Sequence, residues 1–107
     1  MRNILIIEPH RDIATAFEKV IASAEYTAIV RPHVDSLSDL DVTPATILLR
    51  IGHADVSRLP PDRPPIVAIA SSDEDVAEAG RLRCEVVLRA PSEIKHLYEA
   101  LRSLAFA

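Results

Sequence analysis

Asn3-Ile4-Leu5-Ile6-Ile7-Glu8-Pro9-His10 begins with an unbroken apolar run and stops at an acid and a proline. A short run that is apolar at every position and rich in β-branched residues reads as a strand covered on both faces. Four more runs follow: Tyr26–Val30, Thr46–Ile51, Ile66–Ala70 and Glu85–Leu88. They recur about every twenty residues, the rhythm of short strands alternating with helices in an α/β fold.

Helical patterns fill the gaps. Ile13, Ala16, Phe17, Val20, Ile21 and Ala24 make one face at helical spacing. Ile94, Leu97, Tyr98, Leu101 and Leu104 make another, with Pro91 before it and Ser92 as the expected cap. A further helix is predicted from about Asp73 to Leu82, with Ser71 and Ser72 as candidate N-caps and Glu74 and Asp75 each three residues on. Two gaps are weaker. Leu37 and Leu40 are spaced for one or two helical turns within residues 35–43. Residues 52–65 contain four prolines and a glycine, which argues against a full helix and predicts a shortened or missing third crossover helix.

The 107 residues fit a single domain spanning 1–107. Apolar residues make up 49% of the chain, yet it has only two Tyr, two Phe and no Trp, so the core must be Ile, Val, Leu and Ala. The net charge is −4 with both signs interspersed, which gives no basic field for nucleic acid. Arg81, Arg83, Arg89, Lys95 and Arg102 make the last third locally basic, but neighbouring acids offset them. The first apolar run is too short for a signal peptide or a membrane span. One cysteine, Cys84, cannot form an internal disulfide and reads as a small packing residue. A soluble, cytoplasmic protein is expected. Gly52 and Gly80 are the only glycines, which disfavours a Gly-rich phosphate loop. Glu8, His10, Asp12, His53 and Asp55 match no tight metal-ligand spacing, and His33 and His96 stand apart from them. No metal or cofactor is expected.

Four segments together resemble the receiver domains of bacterial two-component signalling. Asn3–His10 resembles the family's first strand, which ends in a pair of acids. Ala45-Thr46-Ile47-Leu48-Leu49-Arg50 resembles the third, which ends in the phosphoacceptor aspartate. Pro65-Ile66-Val67-Ala68-Ile69-Ala70-Ser71 resembles the fourth, which ends in Thr or Ser. Val87-Leu88-Arg89-Ala90-Pro91 resembles the fifth strand and its Lys-Pro turn. The resemblance implies a flavodoxin-like three-layer α/β sandwich with a five-stranded parallel sheet in the order 2-1-3-4-5. Right-handed crossovers then place the first and last helices on one face. It also implies a cis Ala90–Pro91 bond.

A working receiver needs two acids and the acceptor aspartate to hold Mg²⁺, and a Lys and a hydroxyl to bind the phosphoryl oxygens. Most of those groups are replaced. Glu8 keeps one acid and Pro9 replaces the other. Arg50 stands at the acceptor position, Ala70 at the hydroxyl position with Ser71 beside it, Val87 at the switch aromatic and Ala90 at the lysine. A guanidinium is permanently cationic, is no nucleophile towards phosphorus and repels Mg²⁺. A degenerate receiver without aspartyl phosphorylation is the expectation, and no catalytic residues are assigned.

The sequence leaves two readings of Arg50. It pairs with Glu8 and fills the space of the lost metal, or it points to solvent. Two readings of function follow. The first is a phosphorylation-independent signalling module that binds a protein partner in trans: a kinase, a phosphotransfer protein or another regulator. The resemblance puts the interaction face on the fourth helix, fifth strand and fifth helix, here Arg81, Arg89, Lys95, His96, Glu99 and Arg102, with homodimerisation through that face. The alternative is a small-anion or metal sensor using the vacated pocket, with an anion between Arg50 and Arg89. Neither reading involves nucleic acid or membrane.

Overall fold

The computed structural model describes residues 3–33, 40, 43–52, 59 and 62–105. Among these the elements run β1 Asn3–Ile7, α1 Arg11–Ser23, β2 Thr27–Arg31, β3 Thr46–Arg50, β4 Ile66–Ala70, α2 Asp73–Arg81, β5 Val86–Arg89 and α3 Leu97–Ala105. A single 3₁₀ turn, Ile94–His96, leads into α3. The five strands form one parallel sheet in the order β2-β1-β3-β4-β5, as expected.

Strand alternation divides the core into two layers. Ile4, Ile6, Leu48, Val67, Ile69 and Leu88 point to one side, where Phe17 and Ile21 of α1 and Leu97, Ala100 and Leu101 of α3 cover them. Leu5, Ile7, Ile47, Leu49, Ile66 and Ala68 point to the other side, where Ala79 of α2 packs. The first and last helices therefore share a face, as right-handed crossovers require. Every residue of β4 is buried, so its run is apolar without alternation.

Local chemistry sets the helix ends. Ser72 caps α2: its Oγ accepts the Asp75 N–H, while the Asp75 carboxylate accepts the Ser71 N–H. The helices α1 and α2 stop in the same way. Glu25 and Arg83 adopt left-handed φ values of 66° and 58°. The Tyr26 N–H then reaches the Ile21 carbonyl, and the Cys84 N–H reaches that of Ala79. Each closure brings an apolar pair together, Tyr26 on Ile21 and Cys84 on Ala79. That accounts for Cys84, whose thiol is pushed up in pKa by burial.

Three expectations need correction. β2 and β5 each begin one residue later than read, because Tyr26 belongs to the close of α1 and Glu85 turns its carboxylate to the Ile66 N–H. Ser92 does not cap the last helix. The chain enters through the 3₁₀ turn with no side-chain cap, and the Glu93 carboxylate accepts the Arg89 N–H instead. The Ala90–Pro91 bond is cis, as the resemblance implied. Ile51, Gly52 and residues 62–65 lie outside any helix, in keeping with a shortened third crossover. Of the helical turns read within 35–43, residues 35–39, 41 and 42 lie outside the described residues, as do residues 53–58, 60 and 61.

One buried group is unmatched. The Thr46 hydroxyl, on a fully buried residue, has no hydrogen-bond partner among the described residues. An unpaired buried hydroxyl costs free energy that an isosteric methyl does not. Thr46→Val is expected to stabilise the fold by about 1 kcal/mol, read as a higher urea midpoint at unchanged slope. A lower midpoint would mean that the hydroxyl holds a hydrogen bond.

Candidate functional site

An open parallel sheet carries its site beyond the C-terminal strand ends. β1 and β3 are neighbours with Ile7 opposite Leu49, so the next residues, Glu8 and Arg50, stand side by side at that edge. They form a two-point ion pair. Arg50 Nε donates to Glu8 Oε1 at 2.5 Å and Nη2 donates to Oε2 at 2.8 Å. The His10 N–H also donates to Oε2, at 3.0 Å, and the Glu8 N–H binds the Arg31 carbonyl. The Glu8 side chain is 0% exposed and that of Arg50 is 16% exposed. Arg50 therefore turns inward onto Glu8 and does not extend into solvent.

The electrostatics favour both charges. Burial pushes the Glu8 carboxyl up, but the Arg50 hydrogen bonds, the His10 N–H and the Arg50 charge together outweigh it and hold the carboxyl below its ordinary value. The Glu8 hydrogen bond pushes Arg50 further up against its own burial.

The other residues of this edge offer little chemistry. Pro9 has no N–H to donate. Ala70 is fully buried at the end of β4, and its carbonyl accepts the Ala90 N–H at 2.7 Å. Ser71 is exposed, with its N–H engaged by Asp75. Ala90 is half-buried and packs on the α1/α3 layer, while Val87 packs on the α2 layer. Gly52 follows the edge at φ 87°, with room for a Cβ only 3.5 Å from the Asp75 carboxylate. A shallow, open depression lined by His10, Arg11, Asp12, Ile13 and Arg50 lies at the start of α1. Among the described residues no three His, Cys, Asp or Glu side chains gather to hold a metal. His53 and Asp55 of the weighed cluster lie outside them. Arg89, the second half of the imagined anion clamp, is bonded to Asp73.

The residues read as an interaction face lie around the edge strand β5. Arg81 sits on α2, Arg89 at the end of β5, Lys95 and His96 in the 3₁₀ turn, and Glu99 and Arg102 on α3. All but the half-buried Arg89 are exposed. Arg81 also pairs with Glu78 at 2.5 Å, and His96 lies 3.9 Å from Glu99.

No family model matches the chain, and no curated protein matches it. Solved structures do. The BeF3-activated N-terminal receiver domain of RstA from Klebsiella pneumoniae superposes with a TM-score of 0.80 at 16% identity, over 99% of this chain and all of that one. A response regulator receiver protein from Burkholderia phymatum gives 0.78 at 16% identity, over all of this chain and 98% of the other. A CheY-like receiver domain from Methylobacillus flagellatus gives 0.77 at 17% identity, over 97% and 98%. The chain has the receiver fold. At such low identity the likeness concerns the path of the backbone and leaves the site residues to be judged on their own chemistry.

Within the receiver fold one polar cluster escaped the sequence reading. At the opposite edge of the sheet, Arg63 donates to the Leu82 and Arg83 carbonyls and to the Glu85 carboxylate, which itself accepts the Ile66 N–H. Arg63 thereby ties the loop before β4 to the end of α2 and the start of β5. Glu85 lies within reach of Arg63 only through the β4–β5 pairing, 22 residues away in sequence. No local signal points to it.

Proposed function

We propose that this receiver-fold chain is a degenerate, phosphorylation-independent signalling module of a two-component or related pathway. It works by binding a protein partner in the cytoplasm and not as an enzyme. The observation that carries this reading is the Glu8–Arg50 ion pair. Arg50 stands where the resemblance puts the phosphoacceptor, and it spends two of its donors on the one retained acid. A guanidinium there can neither accept a phosphoryl group nor tolerate Mg²⁺. Pro9, Ala70 and Ala90 supply no second acid, no hydroxyl and no lysine, and the adjacent Ser71 is exposed, one residue past the end of β4.

With the metal site filled by its own side chain, the domain holds one arrangement without a ligand. The partner is a kinase, a phosphotransfer protein or a regulator, or a second copy of the chain. It meets the face around β5 made by Arg81, Arg89, Lys95, His96, Glu99 and Arg102. Charges of that kind set partner choice and association rate. No described helix is long and apolar enough to cross a membrane. The anion-sensor alternative is disfavoured, since Arg50 spends its donors on the buried Glu8 carboxylate of this chain.

Affinity capture from native cells tests the proposal, run with and without acetyl phosphate and Mg²⁺. The expected result is a partner retained equally under both conditions and lost when Lys95 and Arg102 are reversed to Glu. Intact-mass analysis should show no phosphorylated species. A partner held only after phosphodonor treatment would overturn the reading.

A further inference from the structure

The C-terminal end of α1 is charged against its own dipole. The last turns of α2 and α3 carry Arg81 and Arg102, the cations that a helix C-terminus favours. The last turn of α1 carries no basic residue, and the exposed acid Glu25 follows it. Glu25 also holds a left-handed φ of 66°, a conformation that suits glycine. Arg83 takes the same conformation after α2, but its charge suits that helix end. Neither the helix nor the backbone asks for a carboxylate at Glu25. Among the described residues that carboxylate makes no hydrogen bond or ion pair. Glu25 instead borders a trough of about 330 Å³ between α1 and α3, lined also by Val20, Ser23, Ala24 and Tyr98. Val20 and Tyr98 are two of the three large apolar residues exposed among those described, at 38% and 46%. Among the described residues no cation lines this trough. Its polar rim is made of acceptors. One is the Glu25 carboxylate. Another is the Ser23 hydroxyl, whose hydrogen is given to the Val20 carbonyl at 2.8 Å.

We infer that this trough binds a small organic cation, an amine carried on an apolar or aromatic body. The ammonium donates to the Glu25 carboxylate and the Ser23 hydroxyl, at the negative end of α1. The body lies on Val20, Ala24 and the Tyr98 ring, whose face attracts the same positive charge. The volume is that of a small-ligand site. The trough lies at the far end of α1 from the Glu8–Arg50 edge and takes the opposite charge to the anion weighed there. The inference is independent of the signalling reading.

Amide NMR titration of the full chain with phenethylamine tests this, with phenethyl alcohol and hydrocinnamate as neutral and anionic counterparts. The amine is expected to give saturable shifts at Val20, Ser23, Ala24, Glu25 and Tyr98. The alcohol should bind roughly tenfold more weakly and the acid not at all. Glu25→Gly should lose the response to the amine and yet melt higher than wild type, because glycine relieves the left-handed φ and removes the acid from the helix end. Tyr98→Leu should weaken amine binding with the rest of the spectrum unchanged. An absent saturable response to the amine overturns the inference, as does equal binding of the alcohol. A Glu25→Gly variant that binds like wild type also overturns it. So does one that melts lower, since the acid would then serve the fold. If a captured protein partner shifts these residues and phenethylamine does not, the trough is a protein contact and the inference falls, while the signalling reading stands.

Discussion

Arg50→Ala is expected to cost about 3–5 kcal/mol of folding stability at neutral pH, the usual penalty for stranding one half of a buried ion pair. The cause is the Glu8 carboxylate, which has no solvent exposure and would lose both of its guanidinium hydrogen bonds, keeping the His10 N–H. The pH dependence gives this effect a signature. In wild type the Glu8 pKa is lowered by folding. Its contribution is therefore complete above the ordinary carboxyl range and is lost only as pH falls through that range and below it. In Arg50→Ala the carboxyl keeps its burial but loses the guanidinium, the main group that offsets it, so its folded pKa is expected to rise above the unfolded value. The variant should then gain stability as pH falls from 7 to 5, by up to about 1.4 kcal/mol per unit, while wild type stays level. Urea titrations at the two pH values read this directly. The double variant Glu8→Leu, Arg50→Met, which removes both charges, should regain most of the loss. An Arg50→Ala loss below about 1 kcal/mol would place the pair among ordinary surface contacts.

Arg63→Ala is expected to be the next most damaging polar change, at about 2 kcal/mol. The Arg63 side chain is 14% exposed and serves the carbonyls of Pro64, Leu82 and Arg83 as well as Glu85. Truncation leaves the Leu82 and Arg83 carbonyls, just past the end of α2, without their side-chain donor. Arg63→Lys should recover only part of the loss, because an ammonium cannot span that set of acceptors. Glu85 adds a second acid-sensitive contribution. Burial raises its carboxyl, but the Ile66 N–H and Arg63 outweigh this and lower it, so its contribution too is lost as pH falls. Thermal denaturation of the two variants at pH 7 measures both effects. A Lys variant equal to wild type would show that charge alone is at work.

The three central strands were legible because they are buried on both faces, so each apolar run in sequence is a run in the sheet. Ile66–Ala70 is the clearest case, with matching bounds in both. Ser72 was legible because a cap is a local event within three residues. Ser92 carried the same local signal and misled, since Glu93 reached back to the Arg89 N–H and the helix began through a 3₁₀ turn. The candidate site was half legible. That Glu8 and Arg50 end their strands follows from the two apolar runs that precede them. That they bond to each other does not, because a strand end fixes a position and leaves the side chain free to turn either way. The β1–β3 register, Ile7 against Leu49, settles it. Arg63 and Glu85 were invisible for the same reason on a larger scale, as only tertiary pairing brings them together.

If the C-terminal edge of the sheet is closed by its own ion pair, as proposed, it does not respond to a phosphoryl group. Amide NMR spectra of the wild-type chain, recorded before and after addition of Mg²⁺ with beryllofluoride, test this most directly. No saturable shifts are expected at Glu8, Arg50, Ser71 or Ala90, and no change around β5. Saturable shifts centred on those residues and spreading to Arg89 and α3 would contradict it.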